Sequence, residues 1–210
     1  SIRATTLKKE IFKKIKDDAV EQTKLLATEK GECPDMKGTG KRNSHLLAIA
    51  PNANSSMITG CSPSIEPHKA NAYTHRTRAG SHLIQNKYLR EELQKLNMDI
   101  PEVWTSIITN GGSVQHLEFI NDSIKEVFKT AIEIDQRVII KLGGERQKYL
   151  CQGQSLNIFF PAGASKEYLH DVHFKAWRHE CKGLYYLRTE TSHRAENVAE
   201  KIKLNKLKDY

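Results

Sequence analysis

The sequence predicts an α/β fold, because short apolar runs of strand type alternate with longer segments of helical periodicity. After a first long helix, the segments give a strand, helices, a second strand, a helix and a third strand, an order typical of α/β proteins. The 210 residues, 38% of them hydrophobic, suffice for one large domain or two small ones.

A long amphipathic helix is predicted over residues 6–29. Leu7, Ile11 and Ile15 recur at every fourth position, which places them on one helical face, and lysines and aspartates fill most of the rest. The glycine-rich segment 31–40 contains a proline, and we expect it to form a loop.

Three strands are predicted, of which the first is expected to be buried. Residues 45–50 (HLLAIA) form a continuous apolar run that ends at Pro51. Residues 155–160 (SLNIFF) end in the same way at Pro161, and residues 183–189 (GLYYLRT) form the third run.

The other apolar segments have helical periodicity. Helices are predicted at residues 87–97, 123–142 and 165–182, with a turn or short helix at 57–59. In the second of these helices Ser123 is the expected N-cap, with Glu126 three residues later as in a capping box. We expect that helix to end at Gly143 and Gly144.

The composition argues against membrane and secreted proteins. No apolar run approaches the ~20 residues that span a bilayer, and the mean hydropathy is −0.59. The basic N-terminal stretch lacks the apolar core of a secretory signal. The cysteines have neither disulfide nor zinc spacing, which predicts a reducing, cytoplasmic location. They are Cys33, Cys61, Cys151 and Cys181.

The net charge of +8 raises the question of nucleic-acid binding. Basic and acidic residues are mixed along the chain, whereas a phosphate-tracking surface concentrates its lysines and arginines. Nucleic acid is therefore disfavoured as a partner. A non-catalytic basic protein that binds nucleic acid or acidic partners stays as the alternative function, and steep salt dependence of binding would identify it.

Residues 51–56 (PNANSS) form a candidate anion-binding loop, here called the PNANSS loop. Small residues allow a ligand to approach the backbone, Asn and Ser supply donors, and a helix starting near Ser55 would present N–H groups. The segment lacks the pattern of a P-loop. An ordinary helix N-cap explains the same residues, so the residues alone leave both interpretations open.

Two other clusters have simple structural explanations. Tyr185 and Tyr186, the tyrosine pair, lie in a predicted strand, where neighbouring side chains face opposite sides and serve packing. His170 and His173 lie one helical turn apart, as metal ligands can, but no further ligands recur at matching spacing. We predict no metal site.

Six segments carry a resemblance to a known family. They are RNSHLLAIAPNANSS (42–56), SPSIEP (62–67), NAYTHRTRAG (71–80), ITNGGSVQ (108–115), ERQKYLCQGQSLNIF (145–159) and HFKAWRHECKGLYYLRT (173–189). In this order they resemble the C-terminal third of the class I ribonucleotide reductase large (alpha, catalytic) subunit, in a bacteriophage version. The resemblance implies the C-terminal part of a ten-stranded α/β barrel, completed by another polypeptide segment.

The resemblance also implies roles for individual residues. The substrate diphosphate would be bound by Asn52, Ala53, Asn54, Ser55 and Ser56. Tyr185 and Tyr186 would relay a radical from the small (beta) subunit toward an active-site cysteine, and the helix before them would help to dock the small subunit's tail. Stacking of two adjacent rings against strand alternation requires a local distortion. The metal-radical cofactor would reside in the small subunit, and a dithiol protein of thioredoxin or glutaredoxin type would supply electrons.

Other family motifs are not found in this sequence. These are the nucleotide-sensing sites, the radical cysteine, the reducible cysteine pair with its neighbouring Asn and Glu, and a C-terminal cysteine pair. Cys61 is not assigned to the radical site, and Cys151 is interpreted as packing. We expect residues 1–40 to lead into the barrel, 41–192 to form its C-terminal segment and 193–210 to form a polar tail.

The leading hypothesis is one piece of a divided large subunit in the host cytoplasm, active with the N-terminal part, the small subunit and a ribonucleoside diphosphate. The alternative of the same ancestry is an excerpt of one longer chain. Co-purification from the native source distinguishes them, because a divided enzyme yields two distinct chains.

Overall fold

The computed structural model describes residues 2–78 and 80–190, and the predicted tail at 193–210 lies outside them. The α-helices of this part are α1 (Ile2–Lys30), α2 (Ser55–Thr59), α3 (Lys87–Lys95), α4 (Pro101–Thr109), α5 (Asp122–Val127), α6 (Gln136–Gln147) and α7 (Lys166–Arg178). The strands are β1 (Ala72–Thr77), β2 (Gly80–Gln85), β3 (Ile158–Phe160) and β4 (Leu187–Thr189). Short 3-10 helices lie at Pro34–Met36 and Ala131–Glu133.

The described residues divide into two compact units. The first contains residues 2–65, 136–158 and 165–187, and the second contains the described parts of 66–135, 159–164 and 188–190. The core of the second unit is formed by Ala72, Leu89, Leu93, Val103, Trp104, Ile107, Val114, Leu117, Ile120 and Phe128. The first unit contains the PNANSS loop and the tyrosine pair.

The second unit contains elements that the sequence analysis did not predict. β1 and β2 form an antiparallel hairpin in which Ala72 pairs with Gln85. Most of its side chains are exposed, so the sequence lacks the apolar alternation that marks a half-buried strand. α4 begins with Pro101 at its first position, which suits the fixed φ of proline. The predicted helix at 87–97 is confirmed as α3.

The predicted N-terminal helix is confirmed as α1. Its apolar stripe is only partly covered among the described residues: Leu7, Ile11 and Ile15 are 54%, 47% and 43% exposed. The helix thus presents a row of half-exposed aliphatic side chains along one face.

An ion pair connects α1 to α6. Lys8 Nζ donates to Glu145 Oε2 at 2.6 Å and to Leu142 O at 3.1 Å, and both charged side chains are largely buried. Burial raises the pKa of Glu145, but the hydrogen bond and charge of Lys8 outweigh burial and hold that pKa below its usual value. Burial lowers the pKa of Lys8. Burial thus dominates at Lys8, whereas at Glu145 the hydrogen bond and the neighbouring lysines dominate and favour the charged carboxylate.

The predicted strand at residues 45–50 is wrong. In the described chain this segment forms a single parallel bridge, between Ile49 and Gln154, and none of its side chains is fully buried. A continuous apolar segment becomes a buried strand only when neighbouring elements pack on both sides of it. Here its ladder hydrogen bonds go to one neighbouring segment, residues 152–155. It is an extended segment with too few ladder hydrogen bonds to count as a strand.

The predicted continuous helix over 123–142 is also wrong. The N-cap is Asn121, whose side chain accepts a hydrogen bond from the Ile124 N–H at 2.9 Å. Ser123 lies inside α5, which ends at Val127. A 3-10 turn capped by Thr130 separates α5 from α6, because the Thr130 hydroxyl and N–H are engaged by a capping box.

Gly143 and Gly144 do not end a helix but lie within α6, where both are buried. A Cβ on Gly143 would lie 2.7 Å from Leu156 Cδ2, and one on Gly144 would lie 2.4 Å from the backbone oxygen of His179. Gly144 therefore allows neighbouring backbone to approach α6 closely, and Gly143 leaves room for the side chain of Leu156. The close approach, and not helix termination, explains both residues.

The two remaining predicted strands are confirmed in shortened form as β3 and β4, which pair with each other. The predicted helix between them is α7, capped by Ser165, which accepts from the Tyr168 N–H. The tyrosine pair lies just before β4 and not within it. Among the described helices, none is both long and apolar enough to cross a membrane.

Candidate functional site

Three extended segments of the first unit lie side by side and carry the candidate site. Residues 152–158 lie in the middle, because Ile49 bridges Gln154 on one side and the Tyr185 N–H donates to Leu156 O at 2.8 Å on the other. The PNANSS loop begins two residues after the bridge, at the same end of the middle segment as the tyrosine pair. Two strand spacings of about 4.8 Å separate the outer segments by roughly 10 Å.

The PNANSS loop leads directly into α2, which begins at Ser55 and contains the short helix predicted at 57–59. Residues 52–55 are exposed, whereas Ser56 is buried and its hydroxyl donates to Ala53 O at 3.1 Å. Asn54 occupies the N-cap position with helical dihedral angles, and its side chain makes no capping hydrogen bond. The geometry therefore gives Ser56 a structural role and does not support the N-cap interpretation of Asn54.

The loop is anchored at its first residues. The Asn52 N–H donates to Pro63 O at 2.9 Å, and Gly60, with φ of 63°, ends α2 and turns the chain back. A left-handed residue at this position is a common helix terminator, and glycine adopts it without strain. The exposed loop residues are thus held on a short, closed turn.

The tyrosine pair is stacked, with ring centroids 4.1 Å apart and the ring planes inclined by 51°. The Tyr185 hydroxyl donates to the Tyr186 hydroxyl at 3.4 Å. The two side chains are 47% and 52% exposed in the described chain. Two adjacent residues of a regular strand would face opposite sides of the sheet, so the backbone here departs from regular pairing.

That departure is a β-bulge. The Tyr185 N–H donates to Leu156 O at 2.8 Å, and Tyr186 O accepts from the Ile158 N–H at 3.0 Å. In a regular parallel ladder one residue supplies both groups, so two residues here oppose the single residue Asn157. Bulges are rare in parallel pairs, and the extra residue lets both rings project on one side.

Cys151 is exposed and hydrogen-bonded, so its interpretation as packing is wrong. Its sulfur accepts from the N–H groups of Leu46 and Leu47, both at 3.0 Å. Burial raises the pKa of the Cys151 thiol, but these backbone hydrogen bonds outweigh burial and leave the pKa below its usual value. Burial raises the pKa of Cys181. Cys151 therefore has more thiolate character than Cys181.

The histidines of α7 are engaged in other contacts. His173 Nδ1 lies 2.7 Å from Leu169 O, and the His170 ring stacks on Phe174 with centroids 5.9 Å apart. In residues 2–78 and 80–190, no group of three or more His, Cys, Asp or Glu side chains is arranged to hold a metal ion.

The buried polar residues of the middle segment were not predicted as functional from the sequence. Gln154 accepts from the buried Arg146 guanidinium at 3.1 Å and donates to Gly143 O at 2.8 Å. Asn157, 6% exposed, accepts from the Tyr186 N–H at 3.2 Å. The QSLNI motif (154–158) could have indicated them, because in it polar side chains interrupt an otherwise apolar strand. Such residues are retained in a core only when they are hydrogen-bonded.

Comparison with known proteins identifies the family. Residues 35–187 match the ribonucleotide reductase barrel domain. The chain belongs to the ribonucleotide reductase barrel-domain family. Membership confirms the predicted α/β barrel class.

Relatives of this ribonucleotide reductase chain include viral and cellular proteins. It is 58% identical, over 85% of its length, to a protein of Frog virus 3 named as a ribonucleoside-diphosphate reductase large subunit, of which it covers 32%. It is 42% identical to the large subunit of Invertebrate iridescent virus 6, over 99% of the chain and 22% of that protein. The Danio rerio large subunit is 40% identical over 72% of the chain, and 19% of it is covered.

A solved structure of a ribonucleotide reductase agrees with the family match. The Actinobacillus ureae class Id ribonucleotide reductase alpha subunit aligns over 92% of this chain with a TM-score of 0.84 and 37% identity, and 36% of that subunit is covered. The chain thus spans about a third or less of the length of the relatives that it matches.

Proposed function

We propose that this chain supplies the substrate-phosphate loop and the radical-relay tyrosines of a ribonucleoside-diphosphate reductase, an oxidoreductase that makes deoxyribonucleoside diphosphates by radical chemistry. The observation that carries the proposal is the tyrosine pair, whose rings lie 4.1 Å apart beside the segment that adjoins the loop. The names of the relatives support the activity.

The PNANSS loop fits a diphosphate through hydrogen-bond donors, without a metal. The side chains of Asn52, Asn54 and Ser55 are exposed and can donate to phosphate oxygens, and Ala53 leaves its backbone accessible. Charge-assisted hydrogen bonds of this kind are stronger than neutral ones. Ser56 contributes by closing the turn through its bond to Ala53 O.

The tyrosine pair fits radical transfer by hydrogen-atom exchange. When one phenol is an oxygen radical, the O–H bond of the other breaks and a new O–H bond forms on the radical, so one electron and one proton move together. The hydroxyl oxygens lie 3.4 Å apart, and the exchange leaves no net charge on either ring. A charged intermediate would be costly wherever a partner covers the pair.

The proposed assembly includes three further components. The small subunit would hold the metal-radical cofactor, a dithiol protein of thioredoxin or glutaredoxin type would supply electrons, and the N-terminal part of the large subunit would supply the radical cysteine. A division into two polypeptides, a bacteriophage origin and a cytoplasmic location stay predictions. The identity of 58% to the Frog virus 3 protein, against 40% to the Danio rerio subunit, supports a viral source.

Removal of one phenol hydroxyl tests the relay. Tyr185→Phe or Tyr186→Phe, in the complex of this chain with the N-terminal part and the small subunit, should abolish turnover and leave substrate binding intact, because Phe keeps the ring but has no O–H bond to exchange. Tyr88→Phe, a change on the exposed side of α3, is the control. Turnover retained in Tyr185→Phe or Tyr186→Phe would refute the assignment of the tyrosine pair as the radical relay.

A new negative charge tests the loop. Asn54→Asp is nearly isosteric, and a carboxylate about 4 Å from a phosphate costs about 1–4 kcal/mol, so the dissociation constant for a ribonucleoside diphosphate should rise about fivefold or more. Asn121→Asp is the control, because aspartate can still cap α5. Equal affinities in calorimetric titration of wild type and Asn54→Asp would remove the loop from the binding site.

A further inference from the structure

We propose that Asn157 is a positioning residue that holds the bulge in which Tyr185 stacks on Tyr186. The inference rests on the proposed function, since its consequence for turnover requires the tyrosine relay. Its structural part can be tested separately from that relay.

The bulge leaves two backbone groups outside the ladder, the carbonyl of Tyr185 and the N–H of Tyr186. The Tyr185 N–H donates to Leu156 O, and the Ile158 N–H donates to the Tyr186 carbonyl. In a regular ladder a single residue would make both of these hydrogen bonds. The Tyr186 N–H has no place in this pattern, because a bulge removes its extra residue from the ladder. A backbone donor beside a buried segment needs an acceptor.

Asn157 provides that acceptor from the residue directly opposite. Its side-chain oxygen accepts from the Tyr186 N–H at 3.2 Å, and the residue is 6% exposed. The amide of Asn157 thus substitutes for the missing ladder partner. An apolar side chain of the same size would leave the Tyr186 N–H unsatisfied, and regular pairing would then become the better alternative.

Regular pairing would separate the rings. If Tyr186 took over both ladder bonds opposite Asn157, the side chains of Tyr185 and Tyr186 would project to opposite faces. Their hydroxyl groups could then no longer lie 3.4 Å apart. The acceptor on Asn157 therefore selects the backbone form in which the two phenols meet.

The test measures ring proximity in the complex, independently of turnover. With 3-fluorotyrosine at position 185, the change in the ¹⁹F shift on Tyr186→Leu reports the ring current of Tyr186. The shift change caused by Tyr186→Leu should be large in the protein with Asn157 and in Asn157→Asp, which keeps an acceptor oxygen. It should vanish in Asn157→Leu. Asn157→Ala, a smaller change, serves if Asn157→Leu does not fold, and should give the same loss.

Kinetics of the same variants without fluorotyrosine supply the second measurement. Asn157→Leu or Asn157→Ala should lower kcat about tenfold or more, the size expected for one lost hydrogen bond to a buried group, with KM unchanged and with rescue in Asn157→Asp. Ile140→Val, which truncates a fully buried side chain of α6, controls for general loss of stability and should keep kcat.

The outcomes separate the two proposals. A ring-current difference that persists in Asn157→Leu or Asn157→Ala, or that is lost in Asn157→Asp, overturns the positioning role. A difference that vanishes as expected while kcat stays unchanged supports the positioning role and refutes the tyrosine relay.

Discussion

Replacement of Gly144 by alanine should destabilise the chain, although alanine is the better helix former. The new Cβ would lie 2.4 Å from His179 O and 2.6 Å from His179 Cβ, and a backbone oxygen cannot move away as a side-chain tip can. Overpacking costs about 1–3 kcal/mol, and a clash with backbone belongs in the upper part of that range, at about 2–3 kcal/mol. The helical preference of alanine returns up to about 1 kcal/mol, which leaves a net loss of about 1–2 kcal/mol. For a chain of this size the net loss corresponds to a decrease in Tm of about 2–8 °C.

Two other glycines provide matched comparisons in thermal unfolding followed by circular dichroism. The new Cβ of Gly143→Ala makes its one short contact, at 2.7 Å, with the side-chain tip of Leu156, which can shift more easily than backbone, so its cost should be lower than that of Gly144→Ala. Gly153→Ala meets nothing within 4 Å. The expected order of Tm places Gly144→Ala lowest. A Tm for Gly144→Ala equal to or above that of wild type would refute the argument that close backbone approach explains this residue.

Three further predictions concern individual side chains. Glu145→Gln should reduce the loss of stability on acidification, measured by urea unfolding between pH 6 and 3. Because the pKa of Glu145 is lower in the folded than in the unfolded chain, the unfolded state binds more protons in this range. The stabilisation by Glu145 is therefore present above the ordinary glutamate pKa and is lost as the pH falls. Asn121→Ala should cost about 1 kcal/mol in the same unfolding experiment, as an N-cap does, whereas Ser123→Ala should cost much less; equal costs would contradict the cap assignment. Iodoacetamide at neutral pH should alkylate Cys151 faster than Cys181 by mass spectrometry, because Cys151 is exposed and has the lower pKa; faster modification of Cys181 would contradict this.

The elements that could be predicted from sequence carry local signals. α1 has apolar residues at every fourth position over several turns, and α7 has Ser165 as its N-cap. The start of α2 near Ser55 follows from the turn residues before it. These features depend on neighbours within a few positions, so the sequence is enough to find them.

The elements that were predicted wrongly depend on distant neighbours. Residues 45–50 have the composition of a buried strand, yet pairing partners decide whether a run becomes one. Gly143 and Gly144 have the usual signature of a helix end, and only the position of His179 and Leu156 explains why the helix continues. Long-range contacts of this kind leave no local pattern.

The candidate site combines both kinds of information. The loop and the tyrosine pair were found through ordered motifs, and stacking of adjacent tyrosines required a distortion that the structure contains as a bulge. The role of Asn157 was not predicted, because its partner lies 29 positions away. A polar residue in an apolar run shows that a partner exists but not which residue it is.

The contact between Gly144 and His179 also restricts which mutations the gene for this chain can accept. Every single-base change in a glycine codon that alters the amino acid introduces a Cβ, and the atom it would meet is a main-chain oxygen, which all residues at position 179 possess. No substitution at 179 can therefore remove that contact. We expect descendants of this sequence to keep glycine at 144 or to move the whole segment that leads from α7 to the tyrosines.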